Sequence, residues 1–389
     1  MSRSTGLAGR SPRWAPLLIV GGGLALLAGL DAALTLAGLP APVGSARLAV
    51  LHGPLMVLGF LGTVIALERA VALRTTWSLL APALLGAGAL ALVLLPRPLL
   101  GRLLLVQGML LLVVVYLALW RRNGDLLVAV QALGAVLAAA AALLLTRLEV
   151  ATVVPLLVGF VVLTIGAERV ELARLAMPDG ARRTLTAHAT GLTGAALTAV
   201  LWPVTGGRLL GLSLLLLTAW LVRHDVARRL VRTSGLPRFA AAALLTGYSW
   251  LGVAGLGLVL LGSPAVSPAG YDIVVHATFL GFAMSMILAH APVILPAVLR
   301  VRLPYTAVMW GPLVLLHVTL LGRVLTVAAG TTAGWHAALV GNVAAVLLFV
   351  AVAVLTAVGA RRRPSGRARH TPRPSPAPTT EDHAPACLP

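Results

Sequence analysis

Residues 271–299, YDIVVHATFLGFAMSMILAHAPVILPAVL, decide the fold. The stretch is apolar enough, and long enough at about 20 residues per crossing, to span a bilayer as a helix. It carries two histidines, His276 and His290. A second such stretch, residues 46–73, carries His52 in LHGPLMVLGF. Both His52 and His276 fall a few residues inside the same-facing ends of their helices. An ionisable side chain at that depth is costly, which makes each a candidate functional residue. Two imidazoles at one depth point to a ligand held between two helices, with haem as the first candidate.

Composition supports an all-α polytopic membrane protein. The 389 residues are 59% hydrophobic and only 11% charged, more apolar surface than a soluble domain can cover. Mean hydropathy is +0.98. The net charge is +19, and every one of the thirty basic residues is an arginine. That charge is not read as a nucleic-acid footprint, because the arginines cluster in short loops between apolar runs, as topology determinants do. The one cysteine, Cys387, leaves no disulfide framework and no covalent haem motif. The N-terminal apolar run is longer than a signal-peptide core and reads as an uncleaved first helix.

Apolar windows predict twelve spans: 13–38, 46–73, 77–96, 99–120, 124–146, 150–175, 184–204, 207–222, 237–262, 271–299, 305–328 and 334–359. The weakest are 184–204 and 207–222, parted by Pro203 and Gly206–Gly207. With the N-terminus inside, twenty-four arginines lie on the cytoplasmic side. Five lie outside (Arg47, Arg97, Arg102, Arg147 and Arg208), and Arg323 falls within a span. The asymmetry predicts a multi-pass protein of the cytoplasmic (inner) membrane with both termini cytoplasmic. Residues 1–12 form a short cytoplasmic lead. Residues 360–389, basic and proline-rich, read as a disordered cytoplasmic tail.

Helices 2, 6 and 10 share a string: Gly59-Phe60 with Ile65 and Glu68-Arg69, Gly159-Phe160 with Ile165 and Glu168-Arg169, and Gly281-Phe282 with Ile287 and His290. Recurrence on every fourth helix predicts three four-helix units, about 13–122, 123–235 and 236–359. Twelve helices in three fours, with histidines near the outer ends of helices 2 and 10, resemble haem-copper oxidase subunit I. The chain is also similar to the NnrS family, membrane proteins of that plan associated with haem, copper and nitric-oxide stress. The resemblance implies one b-type haem ligated by His52 and His276. It does not imply the oxidase's binuclear site: His276 is followed by Ala277-Thr278 rather than a second histidine, helix 6 has none, and helix 7 has only His188.

Arg323, inside helix 11, is expensive unless paired. A haem propionate would satisfy it, as would Asp31 of helix 1 at similar depth, or snorkelling to the surface. His290 and His317 could form a second haem or a copper site, with His336 as a further ligand, or could be hydrogen-bonded intramembrane histidines. Glu68 and Glu168 read as interfacial ion pairs with their neighbouring arginines, or together with Asp31 as a proton path. Three functions fit: a haem-binding protein of respiratory or nitrogen-oxide stress metabolism with a redox partner, a cofactor-free transporter or channel, or a haem/copper oxidoreductase. Membrane lipid is the expected surrounding in each, and the sequence leaves substrate, enzymatic activity and oligomeric state open.

Overall fold

A computed structural model of the protein describes residues 15–174, 176–299 and 301–362. The expected cytoplasmic lead, 1–12, lies outside these residues, as does nearly all of the expected tail. Twelve long helices alternate in direction: α1 (Ala15–Leu36), α2 (His52–Leu73), α3 (Trp77–Leu94), α4 (Leu99–Asn123), α5 (Leu126–Leu144), α6 (Val150–Leu172), α7 (Ala181–Leu201), α8 (Pro203–His224), α9 (Gly235–Leu261), α10 (Pro268–Pro296), α11 (Ala307–Ala329) and α12 (Thr332–Ala360). Short helices at Ala46–Ala49 and Ala227–Leu230 lie in the connections, and among the described residues there is no strand. The protein is an all-α polytopic membrane protein.

Eleven of these helices are long and apolar enough to cross a membrane; α7 is the exception. Its 21 residues suffice in length. Arg182, Arg183, five threonines and His188 dilute its apolar character. It packs between α6 and α8, so the predicted twelfth span survives as a helix of the bundle without reaching a spanning composition of its own.

Each helix packs on the next, and α12 returns to touch α1. Helix α6 is the most enclosed and α12 the least. The three Gly-Phe strings hold one packing position. A Cβ on Gly59 would lie 3.0 Å from Ala25 of α1, one on Gly159 would lie 2.6 Å from Leu137 of α5, and one on Gly281 would lie 2.5 Å from Trp250 of α9. The contact is reciprocal. Gly22 of α1, Gly134 of α5 and Gly247 of α9 each face the backbone carbonyl of the phenylalanine in the string, Phe60, Phe160 and Phe282 respectively. Without a hydrophobic drive between helices in lipid, small residues of this kind permit the close backbone approach that holds them together.

Two helices depart from regular α geometry. Leu55–Leu61 of α2 and His276–Ala283 of α10 are π-helical. Both segments contain the Gly-Phe string and lie at or just after the histidine. The corresponding part of α6 is regular α-helix throughout. Wide turns of this kind concentrate at functional sites, because they re-aim side chains within an otherwise continuous helix.

Candidate functional site

Helices α1, α2, α10, α11 and α12 enclose a cavity of about 500 Å³, within the size range of small-molecule and cofactor sites. His52, His276 and Arg323 all line it, together with Asp272, Trp335 and Asn342. The rest of its wall is mainly apolar, with Phe60, Phe279, Leu280 and Val346 among the larger side chains. The cavity therefore lies between the first two helices and the last three, with Val150 of α6 also in its wall.

Both histidines are fixed through Nδ1. His52 Nδ1 lies 2.8 Å from the carbonyl oxygen of Gly29 on α1. That approach depends on Gly29, where a Cβ would be 2.6 Å from Met56 Sδ. His276 Nδ1 lies 2.8 Å from the carbonyl of Asp272, one turn earlier, and 2.9 Å from the Asp272 carboxylate. An imidazole whose Nδ1–H is donated to an oxygen keeps its lone pair on Nε2. Among the described residues neither Nε2 has a hydrogen-bond partner.

Arg323 is buried and paired with Asp272, not Asp31. Its Nε donates to Asp272 Oδ1 at 2.6 Å and Nη2 donates to Oδ2 at 3.2 Å. Trp335 Nε1 donates to Oδ2 at 2.6 Å, and the guanidinium sits 5.1 Å from the Trp335 ring centroid. Asp272 thus joins α10, α11 and α12 through one carboxylate. Similar depth made Asp31 a plausible partner, but α1 lies across the cavity. Asp31 instead accepts a hydrogen bond from the Val43 backbone at 2.7 Å and pins the loop after α1. Sequence reasoning passed over Asp272; the signal was its spacing of four residues from His276, which places both on one helix face.

The other predicted residues lie elsewhere or are already engaged. His317 receives a hydrogen bond from Trp250 Nε1 on Nδ1 at 2.9 Å, so its Nε2–H donates to Thr246 Oγ1 at 2.9 Å. His290 is fixed by the Met286 carbonyl at 2.7 Å and accepts from Arg169 at 3.1 Å. The two are not a ligand pair: each spends both ring nitrogens within the protein. His336 Nε2 lies 3.2 Å from the Ala37 carbonyl and closes α12 onto the loop after α1. Among the described residues no group of three or more His, Cys, Asp or Glu side chains is placed to hold a metal ion. Gly53 lines the cavity, whereas Gly59 packs against α1 and α3.

Arg169 was read as the interfacial partner of Glu168. It is buried, and its guanidinium makes bonds of 3.1–3.2 Å to the buried carboxylate of Asp225. Asp225 also accepts from Tyr248 Oη at 2.6 Å and from the Ala227 backbone at 2.9 Å. The His290–Arg169–Asp225–Tyr248 network ties α6, α9 and α10 to the connection after α8. Glu68 pairs with Arg69 as expected. Glu168 and Tyr116 also lie within the electrostatic reach of Arg69, at the opposite end of the bundle from the cavity.

No curated protein matches this sequence. A family model does match residues 15–358, nearly the whole described bundle. The chain belongs to the family described as Domain of unknown function (DUF8744).

Proposed function

We propose that the protein binds one b-type haem between His52 and His276, and that it serves electron transfer or nitrogen-oxide stress metabolism as the NnrS family does. The observation that carries this reading is the matched state of the two imidazoles. Each has Nδ1 fixed by an oxygen, each leaves Nε2 without a partner among the described residues, and both rings line one cavity. An outer hydrogen bond that fixes the tautomer and orientation of a ligating histidine is the arrangement iron-binding imidazoles need. Apolar walls suit the faces of a macrocycle, and a haem bound there would supply one-electron redox chemistry set by its axial ligands and surroundings.

The chain's own residues give the site an asymmetry. His52 is held by a neutral carbonyl alone, whereas His276 Nδ1 meets both the carbonyl and the carboxylate of Asp272, and the nearby carboxylate raises its basicity as a ligand. Arg323 spends Nε and Nη2 on Asp272, leaving Nη1 for an anionic substituent at the polar end. The engaged nitrogens of His290 and His317 favour a haem without a copper partner. The arginine distribution supports an inner-membrane location with both termini cytoplasmic.

A reduced-minus-oxidised visible spectrum of the purified protein tests the reading. A b-type spectrum is expected in the wild type, and it is lost or shifted in both His52→Ala and His276→Ala. Protein that expresses and folds with adequate haem yet shows no chromophore would set this reading aside in favour of a cofactor-free transporter. The Asp272→Asn variant is expected to raise the midpoint potential, because a carboxamide supports an electron-rich imidazole less well than a carboxylate.

A further inference from the structure

A second cavity of about 440 Å³ lies beside the first, at the same end of the bundle. Val50 and Val150 belong to the walls of both. Its depth is apolar, formed by Leu51, Pro54, Leu58, Leu92, Leu105 and Leu145, and its rim carries Arg102, Arg147 and Glu149. These charges come from the ends of α4, α5 and α6. This is the arginine-poor side of the chain, where only Arg47, Arg97, Arg102, Arg147 and Arg208 fall. Two of those five meet at one rim.

Neither rim arginine is neutralised by a neighbour. Arg102 makes one long hydrogen bond, 3.4 Å to the Thr146 carbonyl, and among the described residues neither Arg102 nor Arg147 has an ion-pair partner. Arg47, by contrast, is spent on the carbonyls of Val93 and Leu95 at the end of α3. Two guanidiniums against one carboxylate leave the rim cationic, directly above an apolar chamber. Cationic side chains above an apolar chamber complement the anionic headgroup and acyl chain of a phospholipid, and the guanidinium fork matches phosphate oxygens.

We infer that this cavity seats an anionic phospholipid, its phosphate between Arg102 and Arg147 and an acyl chain in the chamber from Leu51 to Leu145. The lipid then packs against the Val50–Val150 partition behind which His52 lies. The site is independent of any haem in the first cavity.

The test is lipid retention. Wild type and variants are purified in mild detergent, washed to remove loose lipid, and analysed for bound phospholipid by headgroup. Wild type is expected to keep about one phosphatidylglycerol-type lipid per chain in preference to phosphatidylcholine. Arg147→Gln, at an exposed position that leaves the fold intact, is expected to weaken retention about five-fold, the worth of one interfacial arginine. Arg102→Gln/Arg147→Gln should weaken it further. Glu149→Gln, which removes the opposing charge, should strengthen it, a change of sign that general damage to the fold would not produce. In thermal unfolding, vesicles with phosphatidylglycerol should stabilise the wild type and vesicles of phosphatidylcholine alone should not. Equal retention by all variants, equal binding of the zwitterionic lipid, or reproduction of the effect by inorganic phosphate alone would overturn the assignment, the last in favour of a free-anion site.

Discussion

Asp272 carries more of the cavity than either histidine. One carboxylate accepts from Arg323 twice, from Trp335 and from His276. With the arginine buried at 6% exposure, the pair is far costlier to break than to delete. Arg323→Gln or Asp272→Leu alone is expected to destabilise by about 3–5 kcal/mol, the penalty for stranding one buried charge. The double variant should cost less than the two singles together, which a double-mutant cycle in thermal or denaturant unfolding measures directly. His52, His276 and Arg323 were legible in the sequence because ionisable groups are scarce in apolar runs. Asp272 was not, because a carboxylate near a helix end looks like an ordinary interfacial residue until its partners on two other helices are known. Asp31, offered beside a haem propionate and snorkelling as a way to satisfy Arg323, fails as a partner for the same reason: sequence gives depth along a helix but not position around the bundle.

Among the helices, the glycines do the work that a soluble core assigns to large side chains. Gly281 lets α10 lie against Trp250, with no room for a Cβ at 2.5 Å. Gly281→Ala is therefore expected to lower stability by about 1–3 kcal/mol, the usual cost of overpacking. The matching Gly159→Ala should cost less, since its neighbour at 2.6 Å is the terminal Cδ1 of Leu137, which can swing aside, whereas Gly281 faces the Cβ and Cγ of Trp250. Unfolding of each variant in detergent reads this out. The Gly-Phe string could be found in the sequence because its spacing repeats. Its packing partners Gly22, Gly134 and Gly247 could not, because glycine is common in such helices and nothing in α1, α5 or α9 sets these three apart. Of the two spans expected to be weakest for the Pro203 and Gly206–Gly207 break between them, Pro203–His224 reaches a spanning composition and only α7 falls short, for a different reason, its polar first turns.

At the scale of the whole molecule, a crossing by all twelve helices, as the sequence predicts, would put both ends of the described bundle on one face. Cysteines introduced singly at Arg97 and Asn123, in a Cys387→Ser background, are expected to label from opposite sides of sealed vesicles with an impermeant thiol reagent. Labelling from the same side would mean that α4, the helix between the two positions, does not cross the membrane. The π-helical segments extend this to the length of the chain itself. A π-turn contains one residue more than the α-turn it replaces, so α2 and α10 each carry a surplus residue that regular α6 does without. Removing one residue from Leu55–Leu61 would let α2 close up into an ordinary α-turn, with the helix on either side keeping nearly its present direction and face. Such a deletion should leave a folded bundle in which His52 still meets the cavity, while the side chains within the former wide turn are re-aimed.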